Sequence, residues 1–343
     1  MQNIKHLLVI RLSAMGDVAM TVPVIKTLTD QNPELKLTIV SKSFLKPLFD
    51  DLDQVTFFAV DVKTKHKGLQ GIYKLYKELR PLKFDGVADL HNVLRSKILR
   101  FFFRLEGIEV CFINKGRSEK KALTARKNKK FKRLISTHQR YCEVFKRLGI
   151  PIDLKTPSFK EKKEITENLK DLIQYQPNEK MIGIAPFAAH ESKKYPLKLM
   201  EEVVNKLSKQ HKILLFGGGQ QEIHLLNTLE EKNQNVFSVA GKIKLKDELI
   251  IISQLSAMVS MDSGNGHFSA LFGVPTITLW GATHPYAGFA PFGQEMNGLT
   301  ADREQYPLLP TSIYGNKTIP GYEKAMETIS PKTVINKVLS TIA

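Results

Sequence analysis

The segment 261–283, MDSGNGHFSALFGVPTITLWGAT, constrains the fold more than any other part of the chain. It reads as the end of a strand, a Gly-rich turn, a helix and a second strand. The apolar run 256–260 feeds the turn, 268–272 suits a buried helix, and 276–280 is rich in β-formers. A strand, a helix and a strand in such close succession make a parallel crossover, and a parallel sheet needs helices on both faces. In such sheets ligands bind outside the carboxyl ends of the strands, where backbone N–H groups hold phosphate. Asp262, Gly264, Gly266 and His267 lie at that turn. The turn therefore points to a phosphate-bearing ligand, most simply a nucleotide.

The same alternation runs through the whole chain. In the first half, strands are predicted over 7–10, 36–41, 55–60, 86–90 and 109–113, and helices over 17–29, 69–79, 93–105 and 136–148. In the second half, strands fall at 181–185, 211–216, 236–239, 257–260 and 276–280. Helices fall at 197–208, 221–231, 246–255, 264–272 and 331–342. The fold class is α/β, with two Rossmann-like domains whose parallel sheets face each other across a cleft. The expected spans are 1–155 for the first domain, 156–179 for a polar connection, 180–325 for the second domain and 326–343 for a closing helix.

Charge narrows the partners. Lys+Arg number 51 against 34 Asp+Glu, for a net charge of +17. That excess suits an anionic partner: nucleic acid, an anionic membrane or a phosphorylated substrate. About half of it sits in residues 115–133, which hold ten Lys/Arg and one Glu. Such a run is ordinarily a solvated loop. Phe131 is the only aromatic residue in it and no nucleic-acid-binding motif appears, so nucleic acid is not expected. An anionic acceptor at a membrane surface is the further reading, with Lys63, Lys65 and Lys67 as a smaller companion patch and Lys127, Lys129 and Lys130 in the main run. Helix 93–105 mixes Arg95, Lys97, Arg100 and Arg104 with Phe101, Phe102 and Phe103. It reads as a sheet-covering helix with some capacity to touch lipid. Two cysteines, Cys111 and Cys142, have no metal-type spacing. The apolar run at 7–10 is too short for a signal peptide, and no stretch nears the ~20 apolar residues of a membrane span. A soluble protein in a reducing compartment is expected.

Four turns carry candidate chemistry. RLSAMGD, 11–17, follows the first strand and places Asp17 at a helix start. Asp17 reads either as an N-cap or as a proton acceptor. APFAAHESKKYP, 185–196, places Lys193 and Lys194 at an expected helix start. A cation is unfavourable there, so the pair reads as an anion site or as solvated lysines. FGGGQQE, 216–222, offers Glu222 to ribose hydroxyls, or is a flexible turn with a helix-favourable acid. The turn at 262–267 also approximates a dinucleotide fingerprint. The following strand ends Leu279-Trp280-Gly281, without the acid that such a site uses for ribose.

Together these segments resemble glycosyltransferase family 9, the lipopolysaccharide heptosyltransferases. The resemblance rests on VIRLSAMGDVAMTVPVIKTL from Val9 and on D-S-G-x-x-H followed by P-T-x-x-L-x-G-x-T from Asp262. DGVADLHNVLRS, 85–96, and KKYP, 193–196, resemble two weaker family segments, with Tyr195 where the family usually has Trp. The resemblance implies a GT-B fold, with donor nucleotide in the second domain and acceptor in the first. It implies inverting transfer of heptose from ADP-heptose to the inner core of lipopolysaccharide, with neither metal nor cofactor. It implies Asp17 as general base and Lys193 on the donor diphosphate. It further implies Asp262, Gly264 and His267 in the nucleotide loop and Glu222 on ribose. The acceptor would be a phosphorylated lipid at the cytoplasmic face of the inner membrane. Rival readings are a GT-B transferase using another nucleotide sugar, a nucleotide-dependent oxidoreductase and a non-catalytic protein binding an anionic ligand.

Overall fold

The computed structural model describes residues 4–155 and 158–343. The chain divides into two compact units. One holds the stretch up to Lys115 with Thr137–Phe159, and the other holds Gly116–Ser136 with Lys160–Ala343.

The first unit runs β1 (His6–Ile10), α1 (Met15–Ala19), α2 (Val22–Gln31), β2 (Lys36–Ser41), β3 (Val55–Ala59), α3 (Gly68–Leu79), β4 (Gly86–Asp89), α4 (Leu94–Leu105) and β5 (Glu109–Phe112). Next in the chain, α5 (Arg117–Leu123) belongs to the second unit, and α6 (Thr137–Arg147) returns to the first. The sheet order is β3-β2-β1-β4-β5, with every pair parallel. Leu8 and Ile10 of β1 share a core with Leu75 and Leu79 of α3 and Leu99 and Phe103 of α4. A central parallel strand is covered on both faces, which is why β1 reads as an unbroken apolar run.

One expectation here is corrected. The single helix expected over 17–29 is two helices, broken at Met20 and Thr21. Pro23 is the reason. It lacks an N–H to donate, and its ring would collide with the carbonyl four residues back, so the helix restarts with Pro23 in its first turn.

The second unit continues with α7 (Glu167–Ile173), β6 (Met181–Ala185), α8 (Leu197–Leu207), β7 (Lys212–Leu215), α9 (Gln220–Glu231), β8 (Val236–Ser238) and α10 (Leu245–Ser253). Then come β9 (Ala257–Met261), α11 (Gly264–Ala270), β10 (Thr276–Trp280), β11 (Leu299–Thr300) and α12 (Pro331–Ile342). The order is β11-β10-β9-β6-β7-β8, again with parallel pairs. The chain leaves β6 toward β7 and β8, then returns to β9 on the other side. The β6–β9 junction is therefore the topological switch point, where an open α/β sheet leaves a crevice for ligand. Gly266 lets α11 lie close to β9, because a Cβ there would meet the Ser260 hydroxyl at 2.5 Å.

The division by packing differs from the expected spans, and the closing helix expected over 326–343 is part of the second unit. The second unit takes in the chain from Lys160 onward, including α7, inside the expected connection. Thr156 and Pro157, the first residues of that connection, lie outside the described residues. The basic run also packs within the second unit rather than with the N-terminal half. Its Leu123 and Leu134 are buried with Ala287. Lys120 lies over the Phe289 ring at 4.0 Å, and Arg303 lies 3.4 Å from the centre of the Phe131 ring. The run is thus an ordered segment whose few apolar side chains anchor it, not a solvated loop.

Candidate active site

In the first unit the candidate side chains around Asp17 gather at the carboxyl edge of β1 and β4. Asp17 is the third residue of α1, not its N-cap. Its Oδ2 accepts from the Ala14 amide at 3.3 Å and pairs with Arg11 Nη2 at 2.6 Å. Both contacts fall on one oxygen. Among the described residues Asp17 Oδ1 makes no bond. The Arg11 guanidinium is nearly buried and also donates from Nη1 to the Leu90 carbonyl at 2.8 Å. Tyr141 of α6 donates its hydroxyl to the Asp17 carbonyl at 3.2 Å, and burial raises that phenol's pKa well above its ordinary value. The result is a carboxylate fixed on one side and open on the other.

Asp89, fully buried at the end of β4, shapes the neighbouring loop. It accepts from the amides of His91 and Asn92 at 2.9 and 2.7 Å and pairs with Arg100 at 2.7 Å. This turn sets His91 with Nε2 3.5 Å from the Ser13 hydroxyl. Burial, with Arg11 and Lys115 nearby, pushes the His91 pKa down to about 3, so its ring is neutral at physiological pH. Its Nδ1 is buried and has no hydrogen-bond partner among the described residues. At the β3 end of the same sheet edge, Lys63, Lys65 and Lys67 are exposed, and Lys65 pairs with Glu78 at 2.9 Å.

In the second unit the switch point holds an ion pair, Lys193 Nζ to Asp262 Oδ2 at 2.8 Å, with both side chains mostly buried. Lys193 ends a short 3-10 turn, Glu191–Lys193, well before α8 begins. This corrects the helix-start argument: Asp262 compensates this cation, and no dipole opposes it. Lys194 points elsewhere and pairs with Glu191. It lines a cavity of about 480 Å³ with Phe187, Tyr195, Leu225 and Tyr322. Gly315 clears the way for the Lys193 stem, since a Cβ there would sit 2.5 Å from Lys193 Cγ and Cδ. Tyr195 is buried, with its hydroxyl bonded to the Ile329 carbonyl at 2.6 Å.

Gly264 opens α11, and His267 is buried within it. Ser263, which precedes the helix, has a buried hydroxyl with no partner among the described residues. Asn265 donates to Glu248 of α10 at 2.8 Å, and burial pushes Glu248 up to about 7. Glu222 lies in the first turn of α9 and accepts from the Gly218 amide at 2.8 Å, which closes the Gly-rich loop. In the basic run Lys127 and Lys130 are exposed. Lys129 instead donates to the carbonyls of Leu123 and Pro310 at 2.7 and 2.9 Å. Burial lowers its pKa to about 8, helped by Arg303.

The structure thus brings together Lys193, Asp262, Gly264 and His267 at the switch point of the second unit, and Asp17 belongs to the first unit. Arg11, Tyr141, His91 and Ser263 join these sites without a motif of their own. Arg11 stands six residues before Asp17 in the same turn, the one local signal available. Tyr141 reaches its partner from 124 residues away. Among the described residues no group of three or more His, Cys, Asp or Glu side chains gathers as a metal site. No described helix is long and apolar enough to cross a membrane.

The family model described as glycosyltransferase family 9 (heptosyltransferase) matches residues 72–314. The chain is 24% identical to the lipopolysaccharide core heptosyltransferase OpsX of Haemophilus influenzae, over 82% of this chain and 80% of that protein. It is 25% identical to lipopolysaccharide heptosyltransferase 2 of Escherichia coli, over 81% and 83% respectively. Among solved structures, a family 9 glycosyl transferase from Veillonella parvula superposes with a TM-score of 0.75 at 19% identity, covering 98% of this chain and 97% of that one. The E. coli heptosyltransferase WaaC, solved with ADP, gives 0.68 at 17% identity, covering 98% and 99%. The structural likenesses establish a shared fold, the GT-B class expected from the sequence.

Proposed function

We propose, from the premise that this chain belongs to glycosyltransferase family 9, that it moves a heptose from ADP-heptose to the inner core of lipopolysaccharide by a metal-independent, inverting displacement. Family and curated relatives together make it a heptosyltransferase of lipopolysaccharide-core synthesis. Donor, stereochemistry, base and metal independence are the finer reading.

The observation that carries it is the asymmetric hold on Asp17. An acceptor hydroxyl attacking the anomeric carbon must lose its proton as the new bond forms, which calls for a positioned base. Arg11 and the Ala14 amide fix Oδ2, and Oδ1 is left to take that proton. Attack from the face opposite the leaving group inverts the anomeric centre in one step. The leaving diphosphate gains negative charge, and Lys193 supplies a cation for it, held at the switch point by Asp262. His267 and Gly264 line the same turn, and Glu222 is taken to meet the ribose. With protein cations on the leaving group, a divalent ion is dispensable.

The phosphorylated acceptor is assigned to Lys63, Lys65 and Lys67, and Lys127 and Lys130 of the basic run are proposed as acceptor contacts on the ground of their charge. Lys129 serves mainly to anchor the basic run. The enzyme works peripherally on the cytoplasmic face of the inner membrane and has no nucleic-acid partner. Thermal shift tests the donor. ADP should raise the melting temperature, while UDP, NAD and a short oligonucleotide should not. Stabilisation by UDP alone would return the rival nucleotide sugar, and stabilisation by NAD would return the oxidoreductase.

A further inference from the structure

Helix α4 carries apolar side chains on two opposite faces. Leu99 and Phe103 face the sheet and are fully buried. Leu94, Ile98, Phe101 and Leu105 repeat at the spacing of a second helical stripe. Ile98 packs partly against the core, while the other three point away from it: Leu94 is 74% exposed, Phe101 55% and Leu105 70%. Neighbouring α3 does the same with Leu69, which is 69% exposed, and Tyr73, which is 45% exposed. The half-buried Phe102 of α4 bridges the two stripes, with ring centroids 6.1 Å from Phe101 and 5.5 Å from Tyr73. Exposed apolar residues scattered singly are ordinary, but a contiguous strip along two adjacent helices marks an interaction surface.

Charge says what the surface meets. Lys74, Lys77, Lys97 and Arg104 are exposed along its flanks. Lys77 leans over the Tyr73 ring at 4.8 Å. The acids on these elements are already matched: Glu78 pairs with Lys65, and Glu106 with Arg80. An apolar strip with aromatic rings, bordered by cations without matching acids, complements the headgroup region of an anionic bilayer. Both helices begin at the carboxyl edge of the sheet, the edge that carries Asp17 and His91. We infer that the α3–α4 face docks the first unit on an anionic lipid surface, side chains down, so that a lipid-linked acceptor is met at that edge. The purpose given to the docking rests on the proposed acceptor; the docking itself does not.

Co-sedimentation with vesicles tests it. The wild type should bind vesicles of phosphatidylethanolamine with phosphatidylglycerol, should bind phosphatidylcholine vesicles poorly, and should be released in part by high salt. Replacing Leu94, Phe101 and Leu105 together by Gln should weaken vesicle affinity on the order of tenfold. Replacing Lys74, Lys77, Lys97 and Arg104 by Gln should do the same and abolish the salt dependence. Both variants change exposed positions and should melt as the wild type does. Transfer to a vesicle-borne acceptor should fall, while transfer to a deacylated, water-soluble acceptor should be unchanged. Vesicle binding equal in wild type and variants, or absent from the wild type, overturns the inference. A wild-type dimer that the apolar triple variant dissolves also overturns it and gives the face to a second copy. Vesicle binding without transfer to the soluble acceptor would instead sink the proposed reaction and leave the docking face standing.

Discussion

Asp17 and Lys193 are each gripped by one opposite charge, and in each case the grip sets direction. Arg11 holds one oxygen of Asp17, and Asp262 holds the Lys193 ammonium within the switch point. The next residue, Lys194, faces an exposed glutamate. The two lysines should therefore separate cleanly by mutation. Lys193→Ala removes a charge-assisted contact, which is worth about 1.5–3 kcal/mol, so ADP affinity should fall roughly ten- to a hundredfold. Lys194→Ala breaks a surface pair of little energetic consequence and should stay within about twofold. Calorimetry with ADP checks both, and the reverse ranking would place the diphosphate on the Lys194 side. These residues were legible because each lies in a short turn after a strand, where local chain order gives position. Tyr141 and His91 acquire their places when α6 and the chain after β4 fold over the turn, which no local pattern records.

At the scale of elements, the strands were the easiest part to read, because parallel strands covered on both faces appear as unbroken apolar runs. Helix breaks were harder. The break between α1 and α2 depends on one proline, and α5 lies inside a run whose charges hide the period of its few buried residues. The contact between α10 and α11 had no sequence signal, since Glu248 and Asn265 meet only when the helices pack. It carries a pH signature. Burial raises Glu248 from 4.5 to about 7 in the folded protein, while the unfolded chain keeps the ordinary value. The folded state thus holds its proton longer. The associated stability is fully present below about pH 4.5 and is lost as pH rises to about 7 and beyond. Glu248→Gln keeps an oxygen for Asn265 and removes the ionisation. Thermal melts should show the variant more stable than wild type above about pH 7 and equal to it below about pH 4.5. A difference independent of pH would mean that Glu248 does not titrate in this way.

For the whole molecule, the two α/β units and their parallel sheets follow from the alternation in sequence, and the net charge of +17 signals an anionic partner. The location of that charge did not follow. The basic run belongs by packing to the second unit, because Leu123, Phe131 and Leu134 find apolar partners around Tyr286 and Phe289. Sequence order had placed it with the first. Under the proposed function, acceptor recognition rests first on Lys63, Lys65 and Lys67, in the unit that carries Asp17. The most direct test of the account is the rate and stereochemistry of heptose transfer from ADP-heptose to an inner-core lipopolysaccharide acceptor, measured with a chelator present for wild type and Asp17→Asn. Asn keeps an oxygen for Arg11 and the Ala14 amide, so the variant should fold. The account predicts wild-type turnover insensitive to the chelator, a product of inverted anomeric configuration, and a loss on the order of a hundredfold or more in the variant. A folded variant that transfers at the wild-type rate, or a wild type that retains configuration, would contradict it.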